Sequence, residues 1–399
     1  MNSSISIPKK EQIHELQLVR AIAIIGVLSV HASAAATVTM KDSAYFFGYN
    51  LVNIFMRFGT PTFILLSSFV LFYSYYNRPL DGKLIGSFYK RRLLYILVPY
   101  IVVSAMYFIY LKLAYQQPFW TFASLDEFWQ KLRTGKVYAH LYFVYISIQF
   151  YLLFPILLWV SKRWPKLVYG FIPFGFAAQW AFVLYNYYVE PVKDKGSWSL
   201  SYFSFFFVGA FLGIYYPKLK KWIAMTREHA TAGRVALWLL LLGAWLALAL
   251  AHVRIYHNAR AYGTIYPGML YEFLWNFHTL FSAFAALGLS YFMYRHLPQW
   301  ISGTLYSIGQ LSFGIYLIHI LFLFLYDRYV PHSGLAWLEH LRYFGSWAVM
   351  LAGSWATVAA ASRFLPLSWV LFGQTPRRER SNARSSGAQA KNQATVRSA

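Results

Sequence analysis

The chain has 399 residues, of which 58% are hydrophobic and only 12% are charged. Because soluble globular proteins carry about 25% charged residues, this composition excludes a soluble protein and indicates an integral membrane protein. Lys and Arg outnumber Asp and Glu by 36 to 13, and the absence of Cys excludes disulfides, thiolate metal sites and a Cys nucleophile.

About ten apolar segments are long enough to span a bilayer, and short connections join them. The longest connection, 115–138, suggests a small amphipathic or loop element. In chain order the segments are 14–38, 46–75, 91–114, 139–160, 167–187, 199–216, 233–253, 269–294, 304–327 and 343–371.

The first segment contains a cation and an imidazole, Arg20 and His31, eleven residues apart. On a helix this spacing puts both side chains within about 20° of one face, about 16 Å apart along the axis. Ionisable residues inside a membrane helix are costly and indicate function. Two alternatives remain: His31 is a structural side chain bonded to a neighbouring helix, or the segment is a cleaved signal peptide, against which Arg20 argues.

The second segment has a further polar face, formed by Asn53, Arg57, Thr60, Ile64 and Ser67. Arg57 lies about 16 Å from the start of this segment, at a depth similar to that of His31 in its antiparallel neighbour. We therefore expect Arg57 and His31 to face one cavity. The alternative is that Arg57 snorkels or binds backbone carbonyls as a packing residue.

The third segment begins with the basic cluster Lys90, Arg91 and Arg92. Such a cluster at the mouth of a membrane helix can bind the phosphates of a soluble ligand. It can equally serve as a positive-inside anchor.

In the fourth segment, Tyr142 and Gln149 lie seven residues apart and share a helix face. His140 lies nearly opposite Gln149, so we do not expect all three to line one cavity. The sequence predicts Tyr142 and Gln149 as cavity residues.

In the ninth segment, Ser312, Tyr316 and His319 share one helix face and are predicted to line the site. His319 could instead be an interfacial anchor, since Tyr and His are common near helix ends. The remaining histidines, including His252 and His257, are assigned to positions in or near outer loops.

The positive charges favour one orientation. With the N-terminus inside, cytoplasmic segments contain 23 Lys and Arg, outer loops contain 10, and three lie within helices. By the positive-inside rule this predicts an all-α polytopic membrane helix bundle, N-in and C-in. The net charge of +23 is thereby explained by topology and anionic lipid, without nucleic acid. Residues 1–373 are predicted to form the membrane domain and 374–399 a disordered basic cytoplasmic tail.

Other classes of site lack sequence support. The sequence has no His-Glu-X-X-His motif, no Gly-rich phosphate loop and no carboxylate pair in a helix interior. A metal would depend on histidines scattered over separate segments, so we predict no metal site.

The motif Arg20-X10-His31 resembles the signature of the acyltransferase 3 family of bacterial multi-pass membrane O-acyltransferases. Blocks 88–100, 140–155 and 312–319 resemble this family in order and context, and the resemblance covers residues 10–370. The stretch Arg57-Phe-Gly-Thr-Pro-Thr-Phe is most similar to the branch that acts on exopolysaccharides in biofilm-forming Gram-positive bacteria.

Two positions depart from the family pattern. Tyr95 stands where many members have the second Arg of Arg-X-X-Arg, which weakens the inference about how donor phosphates are held. Gln149 stands where many members have Glu, which removes a candidate carboxylate.

The resemblance implies a cell-membrane enzyme that moves an acetyl or succinyl group from cytoplasmic acyl-coenzyme A to a hydroxyl of a cell-surface polysaccharide or lipid-linked glycan precursor. His31 is the expected general base, because the unperturbed imidazole titrates near neutral pH. Arg20 would meet the donor, and Arg57 is the expected partner of His31. The resemblance also favours donor binding by Lys90, Arg91 and Arg92.

A second function class remains open, an exporter or flippase of such a glycan, since mid-membrane charges would also line a pathway. Transporters of that kind have broken helices at matching positions of two halves. Gly59-Thr-Pro61 has no evident counterpart in the second half, which favours the enzyme.

Overall fold

The structure is a computed structural model that describes residues 12–224 and 226–374, except for the side chain of Arg227. Lys9, Lys10 and the predicted tail after Gln374 lie outside the described residues. Within the described residues the secondary structure is helical without strands, which confirms the all-α class.

Fifteen α-helices make up the described part of the chain. In chain order they are α1 (Glu15–Ala34), α2 (Ala36–Thr39), α3 (Phe46–Phe55), α4 (Gly59–Tyr75), α5 (Gly82–Arg92), α6 (Val98–Ala114), α7 (Phe122–Leu132), α8 (Tyr142–Arg163), α9 (Phe171–Tyr188), α10 (Phe203–Ala224), α11 (Ala232–Tyr262), α12 (Gly268–His296), α13 (Gln299–Tyr329), α14 (Ala336–Phe364) and α15 (Ser368–Phe372).

Nine helical spans in the described ranges are long and apolar enough to cross a membrane. The predicted segment 269–294 corresponds to α12, which is 29 residues long but is not among the nine. Polar side chains such as Asn276 and His278 lower its hydropathy. α12 packs against α1, α4, α10 and α11 inside the bundle, where neighbouring helices supply partners: the Asn276 amide donates to Ser204 Oγ at 2.9 Å.

Two segments extend beyond their predicted ends. The third span begins at Gly82, because the Asp81 carboxylate accepts a hydrogen bond from the Leu84 N–H at 2.7 Å and caps the start of α5. From α5 the chain continues through a π-helical turn into α6. The seventh does not end near residue 253 but continues to Tyr262, where Gly263 adopts a left-handed φ of +68°. Arg260 therefore lies on a helix, and His252 lies in the interior of that helix rather than at its end.

The second span is interrupted at mid-length. One 3₁₀ turn, Met56–Phe58, separates α3 from α4 and contains Arg57. Gly59 follows immediately, and a Cβ at this position would lie 2.6 Å from the Ala23 carbonyl oxygen of α1. The backbone of the interrupted span thus lies directly against α1, and such turns within helices often mark functional positions.

α1 lies at the centre of the bundle, in contact with α3, α4, α12, α13 and α14. α13 approaches it most closely at Gly309, where any side chain would collide with the backbone of Gln17. Small residues allow such close packing between membrane helices. The helix that contains Arg20 and His31 is therefore fixed on several sides.

The connection between α6 and α8 contains α7, which confirms the expected amphipathic element. Trp129 and Phe122 are exposed on it, and the Glu127 carboxylate contacts Lys112 and Lys131 at 2.7 Å each. The hydrogen bonds from Lys112 and Lys131 hold the pKa of Glu127 below its usual value. This ion-pair cluster attaches α7 to the end of α6.

Candidate active site

His31 and Arg57 line one cavity of about 290 Å³ near the C-terminal end of α1. We call this the His31 cavity. It gathers side chains from α1, α12, α13, the start of α8 and the interrupted second span. Its other polar or aromatic lining residues are Thr60, His140, Tyr142, Trp275 and Tyr316. The expectation that His31 and Arg57 share a cavity agrees with this geometry, whereas their chemical roles stay predictions.

Three imidazole rings form a cluster beside this cavity. The ring centroid of His319 lies 5.1 Å from those of both His31 and His140, and the His31 and His140 centroids are 6.5 Å apart. His140 and His319 are buried. We call these three residues the histidine cluster.

Backbone carbonyls determine the tautomers of two of these rings. His319 Nδ1 lies 2.8 Å from the Tyr316 carbonyl oxygen, and His140 Nε2 lies 3.3 Å from that of Leu317. A carbonyl only accepts, so both nitrogens carry the proton. His319 Nε2 and His140 Nδ1 therefore have free lone pairs, and both atoms are buried without a partner in the described part of the chain. The cluster can hold or accept a proton next to His31.

His140 and Tyr142 both line the His31 cavity and Gln149 does not, which agrees with the expectation that the three do not share one cavity. That expectation placed residue 139 onward on a helix, whereas α8 begins at Tyr142 and His140 lies in the preceding turn. The backbone of that turn is held from α13, because the Tyr316 hydroxyl donates to the His140 carbonyl. In the sequence, the one indication that His140 lines this cavity was its position two residues before Tyr142.

Arg20 lines a different cavity, of about 390 Å³, toward the N-terminal end of α1. We call this the Arg20 cavity. Its cationic lining consists of Arg20, Arg78, Arg91 and Arg92, and its hydroxyl lining includes Ser67, Tyr151 and Ser312. Within the ranges described, none of the four arginines forms an ion pair with a carboxylate.

The Arg92 guanidinium lies over the rings of Tyr151 and Phe88, at 4.7 and 5.3 Å from their centroids. Its Nε is buried without a hydrogen-bond partner among the described residues. The Arg92 Nε–H is free to donate a hydrogen bond, and the four arginines have no carboxylate partner in the ranges described. The Arg20 cavity can therefore bind a ligand with several phosphate charges. Lys90, which was predicted to act with Arg91 and Arg92, is exposed and outside this lining, whereas Arg78 was not singled out by sequence reasoning.

One side chain, Tyr316, lines both cavities. Its ring centroid lies 5.1 Å from that of Phe143 and 6.5 Å from that of Phe63, and we call these three residues the aromatic wall. The predicted face of α13 thus runs from Ser312 in the Arg20 cavity, through Tyr316, to His319 in the histidine cluster.

Gln149 lines neither the His31 cavity nor the Arg20 cavity, and its predicted role as a cavity residue stays a prediction. Its amide donates to the Ser197 carbonyl at 2.8 Å and accepts from the Ser199 N–H at 2.9 Å. The segment before α10 covers this part of α8, which the pattern of α8 alone could not reveal. Tyr142 does line the His31 cavity.

A second pair of histidines is buried nearby. His252 of α11 and His278 of α12 are fully buried, with 3.0 Å between their Nδ1 atoms. His252 contacts the ring of Tyr256, over which the Arg57 guanidinium lies at 4.5 Å. His252 was expected in or near an outer loop, but it lies in the interior of α11 because that helix continues to Tyr262.

The family model of the acyltransferase 3 family, described as an acyltransferase domain, matches residues 13–359. The chain belongs to the acyltransferase 3 family. No curated protein and no solved structure matches the chain. The match runs from the start of α1 into α14 and therefore includes both cavities. Family membership and the apolar helices together identify the protein as a membrane acyltransferase.

No group of three or more His, Cys, Asp or Glu side chains in the described part of the chain could hold a metal ion.

Proposed function

We propose that the protein is an O-acyltransferase of the cell membrane. It moves an acetyl or succinyl group from cytoplasmic acyl-coenzyme A to a hydroxyl of a cell-surface polysaccharide or of its lipid-linked precursor. The exopolysaccharide of a biofilm is the acceptor class that we favour. One observation supports this proposal most strongly: a cationic cavity and a histidine-containing cavity meet at Tyr316.

The donor binds in the Arg20 cavity. Guanidinium groups offer paired N–H donors that match phosphate oxygens, and acyl-coenzyme A carries several phosphate charges. Arg20, Arg78, Arg91 and Arg92 bind these phosphates, with Lys90 contributing only long-range attraction from the exposed helix surface. The thioester end then points along α1 toward the aromatic wall.

The acceptor binds in the His31 cavity. The His31 imidazole removes the proton from the acceptor hydroxyl, and the oxygen attacks the thioester carbonyl carbon. The C–O bond forms, the C–S bond breaks, and the leaving thiolate of coenzyme A takes up the proton that His31 removed, which returns the imidazole to its neutral form. The Arg57 guanidinium stabilises the negative charge that develops on the carbonyl oxygen.

Purified protein in lipid nanodiscs tests this function. We expect radiolabelled acetyl- or succinyl-coenzyme A to be hydrolysed slowly, or its label to be transferred to cell-surface glycan fragments. His31→Gln should lower this rate about a hundredfold or more, since a positioned base contributes about 10²–10⁴. His296→Gln is the matched control, because His296 is exposed and bonds only within α12.

Each result is interpreted together with the melting temperature of the variant, so that loss of folding is recognised. An unchanged rate in folded His31→Gln would contradict the mechanism. Absence of transfer with either donor, combined with movement of glycan across vesicles, would instead identify an exporter.

A further inference from the structure

Two arginines from different helices converge on one asparagine at the edge of the His31 cavity. Arg57 Nη2 lies 3.4 Å from Asn53 Oδ1, and Arg260 Nη2 lies 3.2 Å from the same oxygen. Arg260 Nη1 also donates to Asn50 Oδ1 at 3.0 Å. Both guanidinium groups lie over the ring of Tyr256, at 4.5 and 5.3 Å from its centroid. We call Arg57 and Arg260 the arginine pair.

No carboxylate in the described part of the chain neutralises this pair. The ion pairs found there involve other cations, and the Glu272 carboxylate is taken by Lys195 at 2.5 Å. Asn50 and Asn53 are buried amides and bring no charge. Two like charges held together in a partly buried place repel each other unless an anion joins them.

The spacing of the pair suits one bridging oxyanion. The two distances to Asn53 Oδ1, 3.2 and 3.4 Å, limit the separation of the Nη2 atoms to at most 6.6 Å. Two hydrogen bonds of about 2.8 Å to oxygens of one phosphate or carboxylate can span such a separation. Each guanidinium has five N–H donors, so Arg57 retains others for the reaction.

The pair also connects the partly exposed end of α11 to the His31 cavity. Arg260 is partly exposed in the last turn of α11, whereas Arg57 lines the His31 cavity. An anionic group at the pair therefore places the remainder of a ligand toward His31. The partly exposed Arg260 and the cavity-lining Arg57 are both hydrogen-bonded to one atom, Asn53 Oδ1.

We propose that the arginine pair binds an anionic group, a carboxylate or a phosphate, of the acyl acceptor. This inference rests on the proposed function and narrows its substrate class to acidic glycans or phosphate-linked glycan lipids. It assigns Arg260, which has no place in the acyl-transfer chemistry, to acceptor binding. Arg57 serves both the acceptor anion and the reacting carbonyl.

A purely structural role makes a different prediction. If Arg260 only connected α11 to α3 through Asn50 and Asn53, a neutral Gln could replace it without changing ligand preference. The variant Arg260→Gln keeps an amide donor for those two oxygens and removes the charge. Arg254→Gln is the matched control, since Arg254 lies on the same helix and is exposed.

Binding is measured by calorimetry with protein in nanodiscs and with coenzyme A saturating the Arg20 cavity. The soluble probes are methyl glucuronoside and its neutral analogue methyl glucoside. The lipid probes are a polyprenyl phosphate and the corresponding polyprenol. We expect one anionic probe to bind the wild type and Arg254→Gln, and to bind Arg260→Gln at least about tenfold more weakly, the usual effect of losing one charge-assisted hydrogen bond.

The anionic probe that binds identifies carboxylate or phosphate as the source of the charge. The proposal is overturned if neither anionic probe binds, if Arg254→Gln weakens binding as much as Arg260→Gln, or if the neutral analogues lose affinity equally. If Arg260→Gln does not fold, Arg260→Lys is used instead: it keeps the charge, so the anionic probe should still bind, and loss of that binding would overturn the proposal. Because binding is measured without transfer, failure of the proposed enzyme reaction would be seen separately.

Discussion

The imidazole of His319 lies where it can support His31. Its Nδ1–H is donated to the Tyr316 carbonyl, so its free Nε2 lone pair is the atom that can accept a proton or a hydrogen bond within the histidine cluster. Only Nε2 of the buried His319 ring is therefore available for function, because Nδ1 is already hydrogen-bonded.

The variant His319→Asn tests this assignment. The Asn amide can still donate to the Tyr316 carbonyl but has no atom at the position of Nε2. We expect acyl transfer to fall about a hundredfold, as for a positioned proton-transfer group, with little change in melting temperature. His257→Asn, on α11 between Phe46 and Phe47, is the control. Equal transfer rates in the two variants would contradict the role of Nε2.

The location of a side chain could be predicted where it depended only on the position of the residue along one helix. The common depth of His31 and Arg57 predicted their shared cavity. Where a helix end was misplaced, residues near that end could not be placed from the sequence: His140 lies in a turn before α8, and Arg260 lies on α11, which was expected to end near residue 253. Gln149 faces a covering segment, and such an interaction between distant parts of the chain has no local sequence signal.

At the scale of elements, α1 positions the site because it presents Arg20 to one cavity and His31 to the other. α13 holds α1 by a close approach at Gly309, where there is no space for a Cβ beside the Gln17 backbone. The distance between the two helices is thus set by a residue that lines neither cavity.

Gly309→Ala should therefore displace α1. Overpacking of this kind costs about 1–3 kcal/mol, so we expect a lower melting temperature and slower acyl transfer. Gly303→Ala lies on the same helix with open space around its Cβ and controls for the change in helix propensity. Identical melting of the two variants would show that the approach at Gly309 does not determine the position of α1.

Hydropathy predicted the membrane-spanning helices well, but it did not predict where a helix is interrupted. The second span was expected as one helix, yet its 3₁₀ turn places Arg57 beside α1 because Gly59 permits close contact. The hydropathy pattern is the same for a straight and an interrupted helix. Only the packing against α1 distinguishes them.

For the whole molecule, the two cavities lie toward opposite ends of α1, so two ligands can reach the protein from opposite sides. The distribution of Lys and Arg predicts which end of α1 faces the cytoplasm. The N-in orientation is a prediction from the charges alone. The sequence contains no Cys, which makes single-cysteine labelling direct.

We expect Asp42→Cys to react with an impermeant maleimide in intact cells, and Lys83→Cys to react only after the membrane is opened. Both positions are exposed in the structure, so accessibility depends on the side of the membrane alone. The reverse labelling pattern would invert the orientation and place the Arg20 cavity outside.

The bundle and its charge asymmetry could be predicted because they depend on composition along each segment. The pairing of a cationic cavity with a histidine cavity could not, because it depends on how α1, α8 and α13 contact one another. Tyr316 illustrates this: its spacing from Ser312 and His319 indicated a common face, but not that its side chain lines both cavities.

The measurement that tests the central claim most directly is sided acyl transfer in proteoliposomes. Radiolabelled acyl-coenzyme A is placed in one compartment and the glycan acceptor is confined to the other. We predict that label reaches the acceptor with the wild-type protein and not with His31→Gln. Transfer only when donor and acceptor share a compartment, or transfer that survives His31→Gln, would contradict the two-cavity mechanism.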